Sequence, residues 1–87
     1  MYVLAVYDIG EKRVAKVCKF FRQHLIWVQN SVFEGELTPA QLEKLKAGLK
    51  RIINIEQDSI LFYVAADERW ISKSKMGIER NPTDSLI

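Results

Sequence analysis

Two segments of this chain repeat apolar residues at helical spacing, and the short runs around them are built from β-branched and aromatic residues instead. That alternation of periods is the strongest constraint on how the chain can fold. Val14, Val17, Cys18, Phe21 and Leu25 give the first segment one apolar stripe. Leu42, Leu45, Leu49, Ile52 and Ile53 do the same in the second, which Thr38-Pro39-Ala40-Gln41 opens with a capping box and a proline at the first helical position. The strand-like runs are Tyr2 to Tyr7, Trp27 to Leu37 with a break at Asn30-Ser31, Ser59 to Ala65, and a weaker run near Ile71 to Ile78.

The resulting order is β-α-β-β-α-β with an extra strand at the end, an α+β chain of the ferredoxin-like, split βαβ kind. Right-handed crossovers put both helices on one face of the sheet. The other face is left without a cover, although Tyr2 to Tyr7 and Ile60 to Val64 are apolar on both sides. A second copy of the chain is the simplest cover, so a homodimer is expected. Residues 1–78 are expected to form one ferredoxin-like domain with a C-terminal edge strand, and 79–87 a flexible tail. Met76-Gly77-Ile78 is suited to pairing with an exposed sheet edge of the other protomer.

At 87 residues a single small core is all the chain can build, and a partner would help it. No apolar run reaches the roughly 20 residues needed to span a bilayer, and no secretory signal opens the sequence, so a cytoplasmic protein is expected. The lone cysteine excludes an internal disulfide and any C-x-x-C pair; Cys18, on the apolar stripe, is expected to be buried. Charge is segregated. Lys12, Arg13, Lys16, Lys19 and Arg22 against Glu11 give the first helical segment +4, and Lys44, Lys46, Lys50 and Arg51 against Glu43 give the second +3. The rest of the chain therefore holds −5 of the net +2. Two basic helices on one side suit nucleic-acid phosphates, with Lys12, Arg13, Lys16, Lys19, Lys46 and Lys50 as the candidate contacts.

Asp8 stands where an apolar strand ends, and two readings compete for it. Asp8-Ile9-Gly10-Glu11 has the spacing of a capping box. Alternatively, two copies of Asp8 facing each other across a dimer axis would make a sparse magnesium site, because magnesium takes one or two carboxylates and fills its remaining positions with water and phosphate oxygens. Such an ion would assist hydrolysis of a phosphodiester.

M-Y-V-L-A-V-Y-D at the N-terminus, K-R-V-A-K after it, W-V-Q-N-S-V-F-E-G-E-L, D-S-I-L-F-Y and a closing M-G-I-E-R together resemble the small CRISPR-associated family known as Cas two. The resemblance runs over nearly the whole chain, and V-Q-N-S-V-F-E-G-E-L is its most specific part. It implies a ferredoxin-like homodimer that works in spacer acquisition beside the CRISPR integrase subunit. It further implies a metal-dependent endonuclease acting on RNA or double-stranded DNA, with Asp8 as metal ligand and catalytic residue. A non-catalytic role, bridging a DNA fragment between integrase subunits, is implied as an alternative, and the tail is suited to contacting that subunit. Where many relatives carry paired arginines this chain has Lys12 and Arg13, and Trp27 stands where some carry arginine. Lysine offers phosphate a point charge without the arginine fork.

Ser31 and Phe33 match positions close to the site in that family, against the plainer reading of a strand-break serine and a core aromatic. His24, the only histidine, falls near a helix end, where its charge suits the dipole. No Ser-His-Asp or Cys-His set exists. An RNA-recognition module of the same strand order would show arginine and aromatics on its sheet, where V-F-E-G-E-L has acids. A small-molecule regulatory domain would not require two basic helices.

Overall fold

A computed structural model of the chain describes residues 1–81. The elements are β1 (Tyr2–Asp8), α1 (Glu11–Phe21), β2 (Ile26–Gln29), β3 (Val32–Glu36), α2 (Pro39–Lys50) and β4 (Ser59–Ala65), followed by a 3-10 turn at Glu68–Trp70. The sheet runs β2-β3-β1-β4 with antiparallel neighbours, which is the expected ferredoxin-like order. The Asn30-Ser31 break is real: Asn30 takes a positive φ of 44° and turns β2 back into β3. The capping box also forms, with Gln41 N donating to Thr38 Oγ1 at 3.1 Å and Thr38 N to Gln41 Oε1 at 2.8 Å.

Alternation along the strands sorts side chains onto two faces. Val3, Ala5 and Phe33 turn toward the helices and are fully buried with Val17, Phe21, Leu45 and Leu49. Phe21 and Phe33 stack at 4.9 Å, and Tyr7 rests on them at 5.9 and 6.0 Å. Burying each of these two phenylalanines contributes about 1.5–3 kcal/mol, so the aromatic layer between sheet and α1 is a main source of stability. The helices meet closely where Gly48 faces Phe20: a Cβ at Gly48 would overlap the phenylalanine ring. Cys18 departs from expectation. It is only half-buried, at the edge of the stripe, and its thiol donates to the Tyr7 hydroxyl at 3.1 Å.

Beyond β4 the expected extra strand does not form in the single chain. Ser72, Lys73, Ser74 and Lys75 interrupt the apolar run, and Gly77 takes a φ of 92° in the single chain, outside the range of regular extended backbone. The segment instead returns across the face that the helices leave bare. Lys73 Nζ donates to Glu34 Oε1 at 2.5 Å, and Asn81 Nδ2 donates to the Trp27 carbonyl at 2.5 Å. Cover is partial: Leu61 and Tyr63, on the same face as Leu4 and Val6 by register, stay 53% and 58% exposed, and Met76 and Ile78 are exposed as well. The part of the expected tail from residue 82 onward lies outside the described residues. Among the described residues no helix is long and apolar enough to cross a membrane.

Candidate functional site

The β1–β4 ladder continues to its last rung, where Asp8 pairs with Ser59, and this holds Asp8 in extended backbone two residues short of α1. Its carboxylate is exposed and makes no hydrogen bond or ion pair with another described residue. The capping reading is therefore overturned: the N-cap position falls to Gly10, which has no side chain to offer.

A different carboxylate serves that helix end. Asp58, whose side chain is fully buried, accepts from Gly10 N at 2.8 Å and Asn54 N at 2.8 Å. Arg13 closes on it as a fork, Nε to Oδ2 at 2.6 Å and Nη2 to Oδ1 at 2.9 Å. The Arg13 guanidinium, followed by the two amides, holds the Asp58 carboxyl well below the usual carboxylate range, and the same bond pushes Arg13 up. Gly10 is small for a spatial reason, since a Cβ there would come within 2.5 Å of Arg13 Nη2.

Arg13 is thus engaged within the fold, and its fork is not turned outward beside the lysines. Lys12, Lys16, Lys19, Lys46 and Lys50 are all exposed on the two helices that share one face of the sheet. The Lys46 ammonium also lies over the Phe62 ring at 5.4 Å, a cation–π placement.

Ser31 and Phe33 behave differently from each other. The Ser31 carbonyl accepts from Tyr7 N at 3.0 Å, so it steadies the residue next to Asp8 through the backbone. Phe33 belongs to the aromatic core and presents nothing to solvent. Tyr7 is pushed up to about 12, first by burial and then by the Cys18 hydrogen bond, so its phenol stays neutral at physiological pH and donates to the Asn30 carbonyl at 3.3 Å. His24 packs its ring on Phe20 at 4.9 Å, away from Asp8 in sequence and bonding.

Among the described residues no group of three or more histidine, cysteine, aspartate or glutamate side chains could hold a metal ion. A lone, exposed carboxylate such as Asp8 fits magnesium as one member of a sparse site whose remaining positions are filled by water, phosphate oxygens or a second carboxylate. Asp58 was not legible as part of this region, because an isolated aspartate ahead of a strand carries no motif; its single cue is Asn54-Ile55-Glu56-Gln57-Asp58, a turn-like stretch leading into β4.

Over residues 1–73 the chain matches the family described as CRISPR associated protein Cas2. It is 49% identical over 87 residues to the CRISPR-associated endoribonuclease Cas2 of Pyrococcus furiosus, covering all of both chains. To the protein of the same name in Thermotoga maritima it is 49% identical over 80 residues, 92% of each. Among solved structures, a Cas2 crystal structure superposes with a TM-score of 0.86 at 44% identity, covering 94% of this chain and 92% of that one. Streptococcus pyogenes Cas2 superposes at 0.71 with 35% identity, over 86% of this chain and all of the other. With a family match over residues 1–73 and a relative at this identity over the full length of both chains, the chain belongs to the Cas2 family of CRISPR-associated proteins.

Proposed function

We propose that the chain is a homodimeric, magnesium-dependent endonuclease in which the Asp8 of each copy supplies a metal ligand. The observation that carries this reading is Asp8 itself: an exposed carboxylate, fixed at the end of β1 opposite Ser59 and committed to no partner among the described residues. RNA is the first substrate to test, since the relatives from Pyrococcus furiosus and Thermotoga maritima are named endoribonucleases; double-stranded DNA is the second. A bound magnesium ion supplies Lewis-acid polarisation of a phosphodiester. The chain's own residues do the rest. Lys12, Lys16, Lys19, Lys46 and Lys50 hold the polyanion along the helix face, without base preference. The exposed Leu61 and Tyr63, with Leu4 and Val6 beside them, favour a second copy on the sheet face opposite the helices, and Met76 to Ile78 favour exchange with that copy's sheet edge.

The test is Asp8→Asn, which keeps size and polarity but not the charge that holds a divalent cation. Because Asp8 caps nothing, a helix-end defect does not confound the result. Cleavage in magnesium is expected to vanish while circular dichroism, sedimentation and nucleic-acid affinity stay as in wild type. Cleavage at the wild-type rate would remove Asp8 from the chemistry.

A second reading rests on the exposed lysines and does not need Asp8. In it the dimer is a bridge that holds duplex DNA beside the CRISPR integrase subunit during spacer acquisition. Asp8→Asn then leaves acquisition intact in cells, whereas charge reversal at Lys16 and Lys19 abolishes it.

A further inference from the structure

Two consecutive residues of one segment hold both ends of the Asp8 turn. Ser59 pairs with Asp8 on the last rung of the sheet, and Asp58 accepts from the amide of Gly10, so only Ile9 lies between the two anchors. Both Asp58 oxygens are saturated, Oδ1 by Gly10 N and Arg13 Nη2, Oδ2 by Arg13 Nε and Asn54 N. Its side chain is shut off from solvent, which excludes it as a ligand or base and leaves it a mechanical task. Arg13 stands half-buried over it, with Nη2 reaching onward to Gln57 Oε1 at 3.2 Å.

We infer that Asp58 and Arg13 form a positioning pair that fixes the β1–α1 junction and thereby aims the Asp8 carboxylate. The inference rests on the reading of Asp8 given above and assigns it a supporting residue that touches neither metal nor substrate. The chemistry of the pair suits the task. A carboxylate is acceptor-only, and here it meets four N–H groups from three places: the junction at Gly10, the first turn of α1 at Arg13, and the loop before β4 at Asn54. An amide in its place would turn an NH2 group toward donors, so Asp58→Asn breaks the node with no change of size. Partners bonded directly to a metal ligand typically change metal affinity or activity by about 10- to 100-fold when removed, and Asp58, which acts through the backbone of the junction, is expected at the lower end of that range.

The experiment compares wild type, Asp58→Asn, Arg13→Gln and Asp8→Asn as full-length folded dimers. It reads amide hydrogen exchange at Gly10, the magnesium concentration that half-saturates the chemical shift of the Asp8 amide, and kcat and KM for a single-stranded RNA. In Asp58→Asn, Gly10 exchange is expected to rise at least about 10-fold with Ala5 unaffected, half-saturating magnesium to rise about 10-fold, and kcat to fall with KM unchanged. Should Asp58→Asn fail to fold, Arg13→Gln, which leaves both amide bonds to Asp58 in place, carries the same measurements with a smaller expected change. Wild-type magnesium half-saturation and kcat per folded dimer in the Asp58 and Arg13 variants, with Asp8→Asn inactive, would reduce the pair to a purely structural node and overturn the inference. Full cleavage by Asp8→Asn removes the reading of Asp8, and the inference with it.

Discussion

Lys73 Nζ reaches Glu34 Oε1 at 2.5 Å, joining the segment after β4 to a carboxylate that is otherwise sealed on the sheet face opposite the helices. Only 8% of the Glu34 side chain is exposed, against 49% for Lys73, so the glutamate has most to lose from separation. Lys73→Met keeps the stem and removes the charge. It is expected to cost about 1–3 kcal/mol in urea unfolding, in the range for stranding a buried polar partner. The double variant with Glu34→Gln should recover part of that loss. A Lys73→Met protein as stable as wild type would show the contact to be worth nothing.

Gly48→Ala should destabilise, against the usual rule. Alanine is the better helix former by about 1 kcal/mol, but its Cβ would enter the ring of Phe20 on the facing helix. Phe20→Leu in the same chain removes the overlap, so the pair should be less destabilised than the sum of the single changes. Thermal unfolding of the three variants checks the sign of both effects.

Exposed lysines and the internally bound Arg13 should separate in a salt titration. Each phosphate contact contributes about −0.7 to the slope of log affinity against log salt for single strands and about −0.9 for duplex DNA. Neutralising Lys16 and Lys19 together should therefore flatten the slope by roughly 1.4 to 1.8. Arg13→Gln should leave the slope alone and lower the melting temperature, because its fork is bound to Asp58. An equal slope change for Arg13→Gln would return that residue to the binding surface.

Acid unfolding should carry the signature of Asp58. Its carboxyl, held below the usual range by Arg13 and two amides, is ionised in the fold at pH values where the unfolded chain has begun to protonate. The stabilisation is therefore fully present above the ordinary value of 3.8 and is lost as the pH falls toward the depressed one. Asp58→Asn should be less stable than wild type at neutral pH, and the gap should narrow below about pH 4. Melting temperatures between pH 2 and 7 measure it. A gap that is constant over that range would contradict the role of the charge.

Local spacing in the sequence determined the six main elements, because helix and strand periods depend on residues a few positions apart. The Thr38-Gln41 box marks the start of α2 without ambiguity, since both partners of the motif are three residues apart and need nothing else in the fold. Asp8 at the end of β1 was likewise legible, as was the segregation of lysines onto two helices. Three matters waited for the tertiary structure. The acid that serves the start of α1 is Asp58, 48 residues from Gly10, while the nearer Asp8 is drawn off by its rung with Ser59. Arg13 turns inward although its neighbours Lys12 and Lys16 turn out, because a buried carboxylate lies within its reach and not within theirs. The segment from Ile71 to Asn81 crosses the sheet face by polar contacts at Lys73 and Asn81 and adds no strand in the single chain. Such contacts join residues far apart in sequence, and a hydrogen bond depends on distance and angle, which periodicity along the chain does not encode.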